Sequence, residues 1–117
     1  MLENFRRFEA GPDPFGRKWQ IEFRWYQNAI TIRHSDSVDV KFHLMQGEDR
    51  YEKVVAIMHP DLLALSRKFD RPITDPWVMK LAALHIRDMI ETDRDMEKTI
   101  VTPSLADLER YHVALEE

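Results

Sequence analysis

The chain contains no cysteine, which removes several chemistries at once. There is no disulfide framework, no thiolate nucleophile and no cysteine-ligated zinc or iron–sulfur centre. Glycine is nearly as scarce. Gly11, Gly16 and Gly47 all fall in linker or turn sequence, and none heads a helix in a glycine-rich run. A familiar loop that cradles phosphates with backbone N–H groups is therefore absent. Long apolar runs are missing too, since Val54 to Met58 is the longest clear one and is far too short to cross a bilayer. Met1-Leu2-Glu3-Asn4-Phe5-Arg6-Arg7 lacks the apolar core of a secretory signal, so the expectation is a cytoplasmic protein without a membrane segment.

What is present suffices for one folded domain. At 117 residues, 44% of them hydrophobic and three of them tryptophan, the chain can build a core without a metal or a cross-link. A domain of this size buries roughly two-thirds of its unfolded surface. The net charge of -4 is unevenly spread. Residues 1–34 carry six Lys/Arg against four Asp/Glu, whereas residues 35–117 carry eleven against seventeen. An acidic second half argues against broad phosphate binding, which needs clustered cations.

The hydrophobic period changes at His59-Pro60. Before it, apolar residues alternate, as a strand with one dry face requires. Trp19, Ile21, Phe23 and Trp25 share a face opposite Lys18, Gln20, Glu22 and Arg24, so all four rings and branches are expected in the core. Four strands are expected: Arg17–Tyr26, Ala29–His34 after a Gln27-Asn28 turn, Val38–Met45 and Arg50–Met58. The fourth loses its alternation at Val54–Met58, which predicts cover on both sides. Short connections favour antiparallel pairing in sequence order. Residues 1–16 read as an N-terminal segment and turn-rich linker, and residues 17–117 as a single domain.

After His59 the spacing is helical. Prolines open three segments, at Pro60, Pro76 and Pro103, because a missing N–H costs nothing in the first turn. Asp75 is the expected N-cap of the second helix, and Ser104 with Asp107 has the spacing of a capping box. The predicted fold is therefore α+β: a four-stranded antiparallel meander followed by about three helices packed mainly on one face.

Helix two, from Pro76 to about Thr92, carries the strongest functional signal. Val78, Met79, Ala82, Ala83, Ile86, Met89 and Ile90 fill one broad arc. Trp77, Leu81 and Leu84 lie outside it, beside Asp88, where a surface helix would be polar. Apolar excess on a flank marks either a partner site or cover by another part of the same chain. Trp77, Leu81, Leu84 and Asp88 are the candidate partner-binding residues, with a homodimer as the expected assembly.

Other constellations are weaker. His34, Asp36, Asp39 and His43 are the nearest approach to a metal set, but the histidines fall on differently patterned faces, so no metal and no cofactor are implied. His85 sits at the edge of the helix-two arc, where partial burial would tune a base or ligand contact, and it is the candidate ligand-binding residue. No hydroxyl or carboxylate stands at a spacing that marks a catalytic partner, which favours a non-catalytic role over an enzyme. Arg17-Lys18-Trp19 and Arg24-Trp25-Tyr26 mix cations with rings, but alternation separates the two kinds of side chain. The leading expectation is a protein-binding or assembly module. A small-molecule-binding domain or enzyme with a pocket between sheet and helices is the alternative, and a nucleic-acid accessory protein the weakest reading.

Overall fold

A computed structural model describes residues 4–29 and 37–116. Among these residues five strands form one sheet in the order β1-β2-β3-β4-β5: β1 Arg7–Ala10, β2 Trp19–Ala29, β3 Ser37–Gln46, β4 Asp49–Met58 and β5 Ile100–Val101. Three helices accompany them among the described residues: α1 His59–Phe69, α2 Asp75–Thr92 and α3 Leu105–Glu116. The fold is α+β. β1 to β4 form an antiparallel meander, and the short β5 adds to β4 in parallel.

The meander begins earlier than the hydrophobic alternation indicates. Residues 7–10, read as part of an N-terminal segment, pair with β2 in the register Phe8↔Ile21. Gln27 and Asn28 do not turn the chain. They continue β2 opposite Asp39 and Val38, and β2 runs on to Ala29. The strand expected over Ala29–His34 otherwise lies outside the described residues. The linker before β2 is organised by one buried carboxylate. Asp13 accepts from the backbone N–H of Phe15 and Arg17, each at 2.9 Å, from Arg17 Nε at 2.8 Å and from Trp19 Nε1 at 3.0 Å. Burial pushes this carboxyl up, but the bonds from Trp19, Arg17 and Phe15 outweigh it and hold it at about 2. Gly11 is required here, because its φ is +115° and a Cβ would meet the Arg17 carbonyl oxygen at 2.8 Å.

One face of the sheet is dry. Phe8, Ala10, Trp19, Ile21, Val38, Val40, Phe42, Leu44, Val55, Ile57 and Val101 are buried on it against Leu62 and Leu65 of α1 and the α2 core residues Val78, Ala82, Ile86 and Met89. The opposite face carries Val54, Ala56 and Met58, which are half-buried rather than covered, so the non-alternating run of β4 does not have a layer on each side. Charged residues surround them there, with Lys41 pairing Glu52 at 3.3 Å and His43 facing Glu52 at 3.3 Å.

A β-bulge decides which side chains of β2 enter the core. Phe23 pairs with Phe42 but Trp25 pairs with Lys41, so Arg24 is the extra residue. Up to Phe23 the odd positions face the helices. Beyond the bulge Trp25 lies on the open face, 37% exposed, with Lys41 Nζ 5.9 Å from its ring centroid. The expectation that Trp25 joins Trp19 and Ile21 in the core is therefore corrected: strict period-two alternation stops at Arg24.

Helix boundaries follow local chemistry. Thr74, not Asp75, caps α2, its Oγ1 accepting from Trp77 N at 3.4 Å. The capping box at α3 is reciprocal, with Asp107 N donating to Ser104 Oγ at 3.1 Å and Ser104 N to Asp107 Oδ2 at 2.9 Å. In a chain with few glycines, Asp70 and Asp93 terminate α1 and α2 at φ 49° and 57°. Aspartate is among the side chains that accept this left-handed region.

Candidate functional site

The bulge that turns Trp25 outward turns Tyr26 inward. Tyr26 takes the position opposite Val40, which is itself opposite Val55, and so points from the sheet towards the helical layer. There its phenol donates to Asp75 Oδ1 at 2.8 Å. Asp75 is the first residue of α2, so this bond joins the middle of β2 to the start of the longest helix. Burial, reinforced by the Asp75 hydrogen bond and charge, pushes the Tyr26 hydroxyl up to about 12. It therefore stays protonated near neutrality and acts as a hydrogen-bond donor, not as a base or nucleophile.

Beside this pair lies a groove of about 570 Å³, lined by Asn4, Phe5, Arg6, Tyr26, Asp75, Pro76, Met79 and Lys80. The segment leading into β1 forms one wall, since Arg6 O accepts from Phe23 N at 2.7 Å and fixes that segment along β2. The first turns of α2 form the other. Phe5, Pro76 and Met79 supply apolar surface, while Tyr26, Asp75, Arg6 and Lys80 supply polar groups. Lys80 Nζ stands 5.5 Å from the Phe5 ring centroid, and Arg6 Cζ 5.8 Å from that of Phe23. Its size falls within the range of about 300–1,000 Å³ typical of small-ligand sites. Nothing in the sequence pattern identifies it, because alternation assigns Tyr26 to the opposite face. A lone proline-opened helix following an aspartate is equally silent.

The helix-two flank is placed differently from its expected role as an open partner face. Trp77, Leu81 and Leu84 are 3%, 0% and 2% exposed within the single chain. α3 provides the cover, with Trp77 Nε1 donating to His112 Nδ1 at 3.2 Å and the two rings packed edge to face. The flank is apolar because α2 is a central helix. Asp88 remains partly accessible at the rim, where it accepts from the Tyr111 hydroxyl at 3.2 Å and lies 3.6 Å from Arg110.

His85 is 1% exposed and lies away from the groove, between α2 and α3. Its Nδ1 meets the Tyr111 hydroxyl at 2.8 Å, and Tyr111 in turn donates to Asp88. That order assigns the proton to His85 Nδ1 and leaves Nε2 buried without a partner among the described residues. Burial lowers its pKa from 6.5 to about 4, so the ring is neutral near pH 7. Below it, Arg94 grips Asp107 at 3.0 and 2.8 Å, and Arg110 adds a third bond at 2.7 Å. The Arg94 and Arg110 bonds, with those from Ser104, hold the Asp107 carboxyl well below the usual carboxylate range against the effect of burial. This network fastens α3 to the end of α2.

The remaining sequence candidates are dispersed. His34 and Asp36 lie outside the described residues. Asp39 bonds Ser37 Oγ at 2.9 Å, while His43 faces Glu52. Among the described residues no three His, Cys, Asp or Glu side chains gather as a metal would require. Four of the basic residues near the start of the chain are tied to carboxylates: Arg7 and Arg24 to Glu22, Arg17 to Asp13 and Lys18 to Glu9. No described helix is long and apolar enough to cross a membrane. Comparison with known proteins found no matching family model, no matching curated protein and no matching solved structure.

Proposed function

We propose that the protein is a non-catalytic binding module whose site is the groove between β2 and the first turns of α2. The observation that carries this reading is the β-bulge at Arg24, which places the Tyr26 phenol against Asp75 at the groove. Bulges often sit where a strand re-aims a side chain towards a functional site. A concave apolar surface with a few convergent polar groups is the usual form of a small-ligand site. The protonated Tyr26 and the lack of an activated nucleophile beside it favour binding over chemistry.

A fragment screen followed by protein NMR tests the reading. Hits are expected to shift the Met79 methyl and the Tyr26 ring, and Met79→Glu should abolish those shifts. Hits scattered over the surface, or unaffected by Met79→Glu, would overturn it.

A second reading is assembly with another copy of the chain. It rests on the open face of the sheet, where Trp25, Lys41, Val54 and Ile100 occupy one row across β2 to β5. Ile100 is 64% exposed and Trp25 is partly so. Exposed apolar residues of this kind are enriched at partner sites. On this reading the homodimer uses the sheet rather than Trp77, Leu81 and Leu84. Sedimentation over a wide concentration range, with Trp25→Glu as the control, separates a dimer from a monomer.

A further inference from the structure

We infer that the groove between β2 and α2 selects an amphipathic carboxylate: an apolar chain or ring laid on Phe5, Pro76 and Met79, with its anionic end held by Lys80 and Arg6. The inference rests on the binding reading above and specifies the ligand. It is carried by a contrast in charge pairing. Eleven of the described Lys and Arg side chains have a carboxylate partner. Of the described cations Arg6, Arg50, Lys53, Arg67 and Lys80 are not among them, and of these five Arg6 and Lys80 line the same groove. Each stands over an aromatic ring instead. In a protein of net charge -4 these two cations, against the single carboxylate of Asp75 in the same lining, make a local excess of positive charge.

The acidic member of the groove does not cancel it. Asp75 accepts the Tyr26 hydroxyl on Oδ1, so part of its hydrogen-bonding capacity is already used. Two cations against one carboxylate leave the lining positive. A ligand with a cationic head meets repulsion there, and a neutral alcohol leaves both cations without a partner. A carboxylate completes the pairing that eleven other described cations already have, and charge-assisted bonds of this type are about twice as strong as neutral ones. The apolar wall supplies the remainder through area removed from water.

The test uses three probes with one chain length and different heads: decanoate, decanol and decyltrimethylammonium, each kept below its aggregation concentration. Titration of the intact protein, followed by NMR at Met79 and Tyr26, is expected to rank decanoate at least tenfold tighter than the other two. Lys80→Gln should weaken decanoate about tenfold while leaving decanol unchanged. Lys80→Arg keeps the charge and should keep the affinity, which separates a charge effect from a packing effect. Arg6→Gln provides an independent second variant at the same groove. If all three probes bind alike and Lys80→Gln has no effect, the carboxylate assignment is overturned while the groove reading stands. If no probe binds, or the shifts map elsewhere, both fall.

Discussion

The indole N–H of Trp77 bonds Nδ1 of His112 across the α2–α3 interface at 3.2 Å. His112 also packs against Phe69 of α1, with ring centroids 4.3 Å apart. One histidine of α3 therefore touches both other helices. The pair explains why a helix with apolar residues on nearly every side can belong to one chain, since its outer flank meets α3 instead of water. It also requires neutral His112 to accept at Nδ1 and carry its proton on Nε2, which faces Glu116 at 3.6 Å.

Replacing Trp77 should consequently destabilise the chain itself. Trp77→Phe keeps most of the packing but leaves His112 Nδ1 buried without its donor, at an expected cost of about 1–3 kcal/mol. Trp77→Ala adds a cavity and should cost about 3–5 kcal/mol. Equilibrium urea unfolding at low protein concentration measures both. Concentration-independent losses in that order are expected, and a loss that vanishes on dilution would instead place Trp77 at a contact between copies.

The second prediction concerns pH. His85 binds a proton near pH 6.5 when exposed and only at about 4 when folded, mainly through burial. Between those values the unfolded chain holds more protons, so stability falls as pH falls through this window. At about 1.4 kcal/mol per tenfold change in proton affinity, the effect is roughly 3 kcal/mol, complete once the pH is below the folded value. The His112 pKa is also lowered, chiefly by burial, and acts in the same direction. Unfolding free energies at pH 7.5, 6, 5 and 4.5 should decline steadily. His85→Gln should flatten most of that decline, and an unchanged slope in the variant would assign the pH dependence to other groups.

The third prediction separates two tryptophans that the sequence treats as equivalent. Trp19 is 5% exposed and bonds buried Asp13, whereas Trp25 lies on the open face. Trp19→Ala should cost about 3–5 kcal/mol. Trp25→Ala should cost about 1 kcal/mol or less, as is usual away from the core. Moreover, deleting Arg24 should preserve the fold, because removing the extra residue leaves Phe23 inward, Trp25 outward and Tyr26 inward. Comparable losses for the two tryptophans, or unfolding on deletion of Arg24, would show that alternation runs unbroken through β2.

That contrast marks the limit of reading this chain by pattern. Period-two alternation identifies β3 and the beginning of β2, because each places its apolar residues on one dry face. Helical spacing and the three prolines locate α1, α2 and α3 to within a few residues. A bulge carries no such signature, as Arg24 is an ordinary strand residue in sequence, and it inverts everything after it. The groove depends on that inversion and was illegible for the same reason. β1 and β5 were hidden by brevity, since four residues and two residues are too few for a period to register. The flank of α2 could be seen to be apolar, but its cover by Tyr111 and His112 depends on how α3 docks, which local pattern does not encode.

The last prediction tests how β5 is held. Lys53 lies on the dry face of β4, opposite Phe42, and is only 3% exposed. Its ammonium reaches the connector between α2 and β5, donating to the Met96 carbonyl at 2.8 Å and to the Lys98 carbonyl. Burial lowers its pKa, and Glu97 and Asp95 act against that shift. Just beyond, Val54 N donates to Thr99 O at 2.8 Å, and β5 begins. Lys53→Met keeps the apolar stem and removes the donor, so two carbonyls at the connector lose a charge-assisted bond, each worth about 1.5–3 kcal/mol when intact. Relief of the buried charge offsets part of that loss, leaving an expected net destabilisation of about 1–2 kcal/mol. The effect should be local first: amide exchange of Val54, Ile100 and Val101 should accelerate more than that of Phe42 or Leu44. Uniform acceleration across the sheet would mean that β5 opens only with the whole domain, and that Lys53 contributes to the core rather than to the docking of this strand.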